Sequence, residues 1–164
     1  MTDDAKIEAK FWKALKSDMN VMLGIAGEGD AQPMTAQLDG DEEGGPIWFF
    51  TSTETDLAKA SAGGKNGMFH FASKNHELFA SVRGRLIPDN DRDVIDRLWN
   101  PFVAAWYEGG KDDPKVQLLR FDPDRAQIWL NERSVFAGIK LLLGRDPKSD
   151  YKDKVAEVRL SERP

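Results

Sequence analysis

The chain has 164 residues, carries 28 acidic and 23 basic side chains for a net charge of −5, and contains no cysteine. Its length fits one domain with a sizeable core, and the acidic balance argues against a nucleic-acid partner, which requires a basic surface. The lack of cysteine excludes disulfides, thiolate metal sites and cysteine nucleophiles.

The sequence also predicts a protein without a membrane partner. The longest apolar run, Ile139–Leu143, is far shorter than the ~20 residues that a membrane span requires. The acidic start, Met1-Thr2-Asp3-Asp4, lacks the apolar segment of a secretory signal. We therefore expect a cytoplasmic protein.

The first part of the chain predicts a helix followed by a β-hairpin. Apolar residues recur at helical spacing over Asp3–Met19. Val21–Ala26 and Gln32–Asp39 then have the composition of two strands, joined by the turn cluster Gly27–Asp30. Pro33, near the start of the second strand, suits an edge position.

A strand that changes abruptly into hydroxyl residues follows. The apolar run Ile47–Phe50 predicts a buried strand, and Asp56–Ala62 has a short helical pattern. Lys59 lies four residues after Thr55, so both would face one side of that helix. Between strand and helix lie the hydroxyl residues Thr51, Ser52, Thr53 and Thr55. This junction fits either an anion site or a plain strand with a helix cap and a solvated lysine.

A second strand pair is predicted at Met68–Ala72 and Leu78–Ile87. Gly84 inside the second of these indicates a bulge, or the close approach of another chain or ligand. Arg83 and Arg85 share one face, where they form either a solvated strand surface or an anion site.

The rest of the chain adds two short helices, another hairpin and a tail. The predicted elements are a helix over Asn90–Asn100, a second helix from Pro101 through Trp106 capped by Asn100, strands at Val116–Phe121 and Ala126–Leu130 turning at Asp122-Pro123-Asp124, a helix over Val135–Leu143 capped by Ser134, and a charged, partly ordered tail, Arg145–Pro164.

Six to seven strands joined mostly as hairpins predict a mainly β fold, an antiparallel barrel or sandwich with few helices. The chain lacks a catalytic constellation of its own. Its two histidines, His70 and His76, have no cysteine beside them and do not suggest zinc, and no Walker or Gly-x-Gly-x-x-Gly pattern occurs. If the protein is an enzyme, a bound cofactor carries the chemistry.

The order of these segments resembles a known family. A helix, a hairpin containing Gln-Pro-Met-Thr-Ala, then Ile-Trp-Phe-Phe-Thr-Ser and a short helix are similar to the pyridoxamine 5′-phosphate oxidase-related FMN-binding split barrels, in particular the general stress protein branch. The later runs Leu-Trp-Asn-Pro-Phe and Ala-Trp-Tyr-Glu-Gly-Gly are similar to that branch too. The resemblance covers roughly Ile7 to Leu143.

The resemblance implies an antiparallel split β-barrel with flanking helices (α+β), formed by an FMN-binding domain at 1–144 with a tail at 145–164. It also implies a homodimer with FMN at the subunit interface. The positions matching the family's cofactor contacts are Met34 and Thr35 beside the flavin ring, Phe50, Thr51 and Ser52 at ring and ribityl phosphate, Thr55 at the phosphate, and Trp129 on a late strand.

Three positions depart from the oxidases. An arginine of the oxidases is replaced by Pro33, their phosphate-binding lysine by Leu57, and a glutamine from the partner chain by Phe79. Lys59 is then only a nearby substitute for the lysine, and the arginines that hold pyridoxamine phosphate have no secure counterpart around Arg133. We therefore expect FMN binding without pyridoxamine phosphate oxidation.

The functional expectation is an FMN-dependent oxidoreductase that passes electrons to a small unidentified substrate. The alternative is a general stress protein that binds flavin without turnover, and a third possibility changes the ligand to a deazaflavin or haem. The large aromatics Trp48, Phe49, Trp99 and Trp106 are expected in the core or the dimer interface. Trp129 fits either setting or the flavin site.

Overall fold

The part of the chain that this computed structural model describes, residues 3–40, 43–131 and 155–160, forms one eight-stranded antiparallel sheet with short helices against it. In chain order the elements are α1 (Asp3–Asp18), β1 (Asn20–Ile25), β2 (Glu28–Thr35), β3 (Gln37–Leu38), β4 (Ile47–Ser52), α2 (Asp56–Ala60), β5 (Lys65–Ala72), β6 (Leu78–Pro88), α3 (Arg92–Leu98), α4 (Pro101–Ala104), a 3₁₀ turn (Gly110–Asp112), β7 (Val116–Leu130) and β8 (Val155–Arg159). None of these described helices has the length and apolarity to cross a bilayer.

Helix α1 forms because its apolar residues recur on one side. Ile7, Phe11 and Leu15 lie on that side and are almost fully buried in the main core. Two acidic residues in the first turn suit the positive end of the helix. The helix stops before Met19, whose φ of 62° is not helical. The predicted helix is confirmed to within one residue.

The strands run in the order β2-β1-β5-β6-β7-β4-β3, with β8 beside β7, and the sheet curls into a half-barrel. Every strand pair is antiparallel. Alternate residues of β1, such as Val21 and Leu23, point into the core, while Met22 faces outward and is 41% exposed. The prediction of a mainly β, antiparallel fold is confirmed.

The first hairpin is shifted relative to its prediction. Strand β2 already begins at Glu28, inside the predicted turn cluster, and ends at Thr35. Ala36 interrupts the predicted strand because it is buried and donates its N–H to the carbonyl of Met19 at 2.7 Å. The short strand β3 then pairs separately with β4.

The predicted hairpin turning at Asp122-Pro123-Asp124 is wrong, because β7 is one continuous strand of 15 residues. Its first half pairs with β4 up to Phe121, and its second half pairs with β8 from Arg125 onward. Pro123 lies between these two ladders, where its missing N–H leaves neither ladder short of a donor.

The bulge anticipated at Gly84 is confirmed. The β6–β7 register shifts between Arg83 and Gly84, and Gly84 lies opposite Pro123. A Cβ at Gly84 would lie 2.3 Å from the carbonyl oxygen of Asp122 and 2.8 Å from the Phe121 ring. Glycine is therefore needed here for the close approach of the two strands.

Strand β8 lies inside the segment expected to be a charged tail, and its pairing with β7 was not predicted. Ala156 and Val158 face the core from it, and charged residues alternate with them. Three predicted features, the Val135–Leu143 helix, its cap Ser134 and the region of Arg133, lie outside the described residues.

A second, smaller core supports helices α3 and α4. It is formed by Trp48, Val94, Ile95, Val103, Tyr107, Val116 and Leu118. Asn100 caps α4 as predicted, accepting the N–H groups of Phe102 at 2.9 Å and Val103 at 3.0 Å. Helix α3 begins later than predicted, after the cap Asp91.

Candidate functional site

A cleft of about 620 Å³ lies between strand β2, the end of β4 and helix α4. We call it the central cleft. It is lined by Met19, Gln32, Pro33, Met34, Thr35, Gln37, Phe50, Thr51, Ser52, Thr55, Asn100, Phe102, Val103, Trp106 and Tyr107. Strand β2 supplies one wall, the β4–α2 junction another, and α4 with the turn after it the third.

The structure brings together six of the eight residues predicted from the sequence. Met34 and Thr35 come from β2, and the other four of them come from the β4–α2 junction: Phe50, Thr51, Ser52 and Thr55. Lys59 is exposed on α2 and Trp129 is half-buried on β7, and neither lines the cleft. The central cleft therefore contains six of the eight predicted residues, and their contact with a flavin stays a prediction.

Hydrogen bonds at the β4–α2 junction decide which hydroxyl can donate to a ligand. Thr55 Oγ1 donates to the carbonyl of Ser52 at 3.0 Å and accepts the N–H of Ala58 at 3.2 Å, which makes it the cap of α2. Thr51 Oγ1 lies 3.0 Å from Thr55 Oγ1 and, since the Thr55 proton is in use, it is the donor of this pair.

Ser52 differs from both threonines. Its Oγ accepts the N–H of Glu54 at 3.2 Å, and no described residue accepts its hydroxyl proton. A hydroxyl has one proton and two lone pairs. Of the three hydroxyls in this corner of the cleft, Ser52 is therefore the one free to donate to a ligand.

Tyr107 fixes the floor of the cleft. Its phenol is buried and donates a 2.6 Å hydrogen bond to the backbone carbonyl of Thr51. Burial, with a smaller contribution from the charge of Asp113, raises the pKa of Tyr107 to about 12. The phenol is therefore neutral at physiological pH and acts as a structural donor, not as an acid.

The aromatic residues divide into packed and exposed groups. Trp99 packs edge-on against Phe50, with ring centroids 5.9 Å apart, and lies 5.6 Å from the ring of Tyr107. Phe102 and Trp106, by contrast, are each 84% exposed at the mouth of the cleft. We call these two residues the aromatic wall.

The core expectation for the large aromatics is confirmed in part. Trp48 and Phe49 are buried, and Trp99 packs against the smaller core. Trp106 was expected in the core or a dimer interface. The core alternative is wrong, because Trp106 follows the last turn of α4 and its side chain is exposed to solvent. Only Val103 of that turn faces inward.

The lining of the central cleft carries no charge among the described residues: none of the fifteen side chains is Asp, Glu, Lys, Arg or His. Another cleft, of about 670 Å³, lies between α1 and the β5–β6 turn. That cleft contains charges of both signs from Lys10, Lys13, Asp18, Lys74 and Glu77, and none of the predicted site residues. The central cleft is therefore the candidate site.

The departures from the oxidases also have clear positions. Leu57, at the position of their lysine, is 6% exposed and belongs to the main core, and its side chain does not line the cleft. Pro33, at the position of their arginine, lines the cleft without a charge. Phe79 is 37% exposed and lies opposite Trp129 on the outward side of the sheet.

Several lining residues were missed from the sequence. The cleft includes Gln32 and Gln37 on either side of the predicted pair on β2, and Asn100 and Tyr107 around α4. The sequence identified Asn100 as a helix cap, but it did not indicate that this residue lines the cleft. Tyr107 had no local signal, because its partner Thr51 is distant in the chain.

Comparison with known proteins gives a consistent result. Residues 6–147 match the family model described as pyridoxamine 5′-phosphate oxidase like. A protein assigned to the general stress family from Xanthomonas campestris pv. campestris is 59% identical, with a TM-score of 0.75 over 82% of this chain and 94% of that one. The general stress FMN/FAD binding protein of Xanthomonas citri is 56% identical, with a TM-score of 0.75 over 80% and 93%.

A more distant structure supports the same fold. A protein assigned as general stress protein 26 from Jannaschia sp. CCS1 is 32% identical, with a TM-score of 0.77 over 94% of this chain and 99% of that one. The chain spans about half the length of the curated relative that it matches, the protein bli-3 of Neurospora crassa, at 25% identity over 107 residues. The expected split-barrel fold is confirmed, and the chain belongs to the pyridoxamine 5′-phosphate oxidase-like family.

Proposed function

We propose that this protein is a homodimeric flavoprotein that binds FMN in the central cleft and passes electrons to a small-molecule substrate. The observation that carries the proposal is the convergence of Met34 and Thr35 from β2 with the Phe50–Thr55 junction at one cleft. The similar protein from Xanthomonas citri is described as binding FMN or FAD, which supports a flavin as the ligand.

The residues present fit a flavin. Phe50 and Met34 offer apolar surface for a flat ring. Ser52 offers a free hydroxyl donor for a phosphate oxygen, beside the turn that Thr55 caps. When bound, FMN supplies hydride and electron transfer, for which the chain need not provide an acid or base.

Positive charge for the phosphate is not available within the cleft of one protomer. Lys59 is exposed on α2, one turn after Thr55, and its long side chain is the closest basic candidate along the chain. The proposal assigns it an electrostatic role at the phosphate. Because Lys59 does not line the cleft, that role is weaker than the direct contact of a lysine at the Leu57 position.

The proposed dimer uses the outward side of the sheet. Met22 is 41% exposed and Phe79 is 37% exposed there, and Trp129 lies directly opposite Phe79. Covering exposed apolar side chains is the main driving force for association. On this proposal, any contact between Trp129 and FMN is made across the subunit interface.

Pyridoxamine phosphate is a poor candidate for the substrate. The proposal assigns Ser52 and Lys59 to the FMN phosphate, and the described lining of the central cleft has no cationic side chain for a second phosphate. The proposed substrate is therefore a different small molecule. The protein acts as a general stress flavoprotein on this proposal, in keeping with its similarity to the Xanthomonas proteins. The proposal also assigns it to the cytoplasm.

A flavin-binding protein without turnover is the second candidate. It is favoured by one observation: the similar protein from Xanthomonas citri is described as a general stress FMN/FAD binding protein. Steady-state assays with NADH or NADPH and artificial acceptors separate the two functions. Turnover supports the enzyme, whereas stable flavin binding without turnover supports the binder.

The experiment that tests flavin binding is a calorimetric titration of FMN into natively purified, flavin-free protein. A dissociation constant in the micromolar range or below is expected, with riboflavin binding more weakly because it lacks the phosphate. A protein that is colourless as purified and binds no FMN at micromolar concentration would overturn the proposal. Titration with FAD in parallel measures the preference between the two flavins.

A further inference from the structure

Among the described residues that line the central cleft, the two rings of the aromatic wall are the large apolar side chains that remain exposed. Phe102 and Trp106 are each 84% exposed, far more than Met22 or Phe79 elsewhere on the molecule. Removing large aromatic side chains from water lowers the free energy of the system. Two such rings at the rim of one cleft therefore favour a ligand that covers them.

The wall stands on a firmly held segment. Asn100 caps α4 by accepting two backbone N–H groups, and Val103 packs the same turn into the smaller core. Tyr107, which follows Trp106 in the chain, is held to β4 by its hydrogen bond to Thr51. The rings thus project from a preorganised support. Preorganisation lowers the entropy lost when a ligand binds.

The chemistry around the wall selects an uncharged ligand. None of the described side chains that line the cleft is charged, and the proposed function assigns Ser52 and Lys59 to the FMN phosphate. A further charged group would therefore lose its hydration without gaining a partner. Gln32 and Gln37 also line the cleft, and no hydrogen bond engages either side-chain amide within the described part of the chain. Each can donate to a carbonyl oxygen.

We propose that the aromatic wall is the binding site for a second ligand, a neutral planar aromatic molecule with carbonyl oxygens, of which quinones are the simplest class. The ring system stacks on Phe102 and Trp106, and the glutamine amides hold its oxygens. This inference rests on the proposed function, because it names the substrate class of the same cleft once FMN is bound there. It is separate from FMN binding itself.

The test is calorimetry on the full chain saturated with FMN, using 1,4-naphthoquinone and its charged analogue 1,4-naphthoquinone-2-sulfonate. The chain has no cysteine, so neither probe is consumed by thiol addition. We expect the neutral quinone to bind at least tenfold more tightly than the sulfonate. Equal affinities, or tighter binding of the sulfonate, would overturn the neutral-ligand assignment.

Substitutions at Trp106 test the wall directly. Trp106→Ala is expected to weaken naphthoquinone binding about tenfold, and Trp106→Phe to preserve most of the affinity. Trp106→Leu should behave like the alanine variant, because leucine supplies apolar area but no ring on which the ligand can stack. FMN affinity, measured on the same variants, should change less than threefold. Since the side chain is 84% exposed, these variants should fold normally, as checked by circular dichroism.

The outcomes separate the two proposals. Wild-type protein that binds FMN but no naphthoquinone overturns the inference and leaves the proposed function intact, whereas protein that binds no FMN overturns the proposed function. A Trp106→Ala variant that binds naphthoquinone normally but sediments as a smaller species would assign the wall to an interface between copies. That result also overturns the inference.

Discussion

The phenol of Tyr107 donates a 2.6 Å hydrogen bond to the backbone carbonyl of Thr51, which joins the segment after α4 to the end of β4. Thr51 is also paired with Gln117 of β7. The bond therefore links the aromatic wall and the hydroxyl corner of the central cleft to one strand of the sheet. It is a direct hydrogen bond between two walls of the site.

Tyr107→Phe should destabilise the protein by about 1 kcal/mol at pH 8, because the buried hydrogen bond is lost. The difference should shrink at high pH. The folded-state pKa of Tyr107, about 12, lies above the ordinary value of 10.0, so its stabilising effect is fully present below pH 10 and is lost as the pH rises from 10 towards 12.

Urea denaturation of both proteins at pH 8 to 11 measures this. Other groups that titrate in this range affect both proteins alike, so the difference in unfolding free energy isolates Tyr107. By linkage the wild-type protein loses up to about 2.7 kcal/mol more than the variant over the full transition, so its advantage of about 1 kcal/mol should vanish at about pH 11 and then reverse. A difference that stays constant or grows with pH contradicts the prediction.

Ser52→Ala should weaken FMN binding about tenfold while leaving riboflavin binding unchanged, because the serine hydroxyl is assigned to the phosphate. Its effect on stability should stay within about 0.5 kcal/mol, since Ser52 Oγ only accepts one exposed backbone bond. Calorimetry with the two flavins provides the comparison. Equal losses for FMN and riboflavin would place the serine at the ring and not at the phosphate.

Thr55→Ala should lower stability by about 1 kcal/mol through loss of the α2 cap, which Thr55 Oγ1 forms with the N–H of Ala58. Thr55→Ser retains the hydroxyl and should restore most of that loss. Thermal and urea unfolding measure both variants. If the serine variant is as unstable as the alanine variant, the methyl group and not the cap explains the effect.

Gly84→Ala should destabilise the protein by about 3 kcal/mol or abolish folding, since its Cβ would lie 2.3 Å from the backbone of Asp122. Gly24→Ala is the matched control on another strand, where the nearest atoms belong to Ala31 at 3.3 Å. The control should stay within about 1 kcal/mol of the wild-type protein. Similar losses in both variants would contradict a special role for the bulge.

Sedimentation should give a dimer for the wild-type protein and a monomer for Phe79→Glu, because the charge is placed in the exposed apolar patch beside Trp129. Ser17→Glu adds the same charge change to the exposed side of α1 and should remain dimeric. A monomeric wild-type protein at micromolar concentration, or a dimeric Phe79→Glu variant, contradicts the proposed interface.

Local patterns predicted the local parts of the fold well. The period of α1, the cap at Asn100 and the strand that ends at the Ser52–Thr55 hydroxyls all depend on residues close together in the chain. The fold class followed from the number of hairpins. The resemblance to a family then indicated which of these segments meet at one cleft.

The misses have a common physical cause, which is that the deciding partner is distant in sequence. Pro123 looked like a turn residue. It can lie inside a strand because β4 pairs with β7 before it and β8 pairs with β7 after it. The alternation in β8 is short and is surrounded by charged residues, and it becomes a strand only because β7 offers an edge. Tyr107 likewise needed the position of Thr51.

The continuous strand β7 has a consequence for how the protein folds. Thr51 meets Gln117 and Val21 meets Phe71 only after long stretches of chain have closed into loops, and such non-local pairing slows folding relative to helical proteins of similar size. The β4 side of the central cleft cannot be completed before β7 docks. A refolding chain should therefore gain helical signal early and acquire the ability to bind a ligand only in its slowest step.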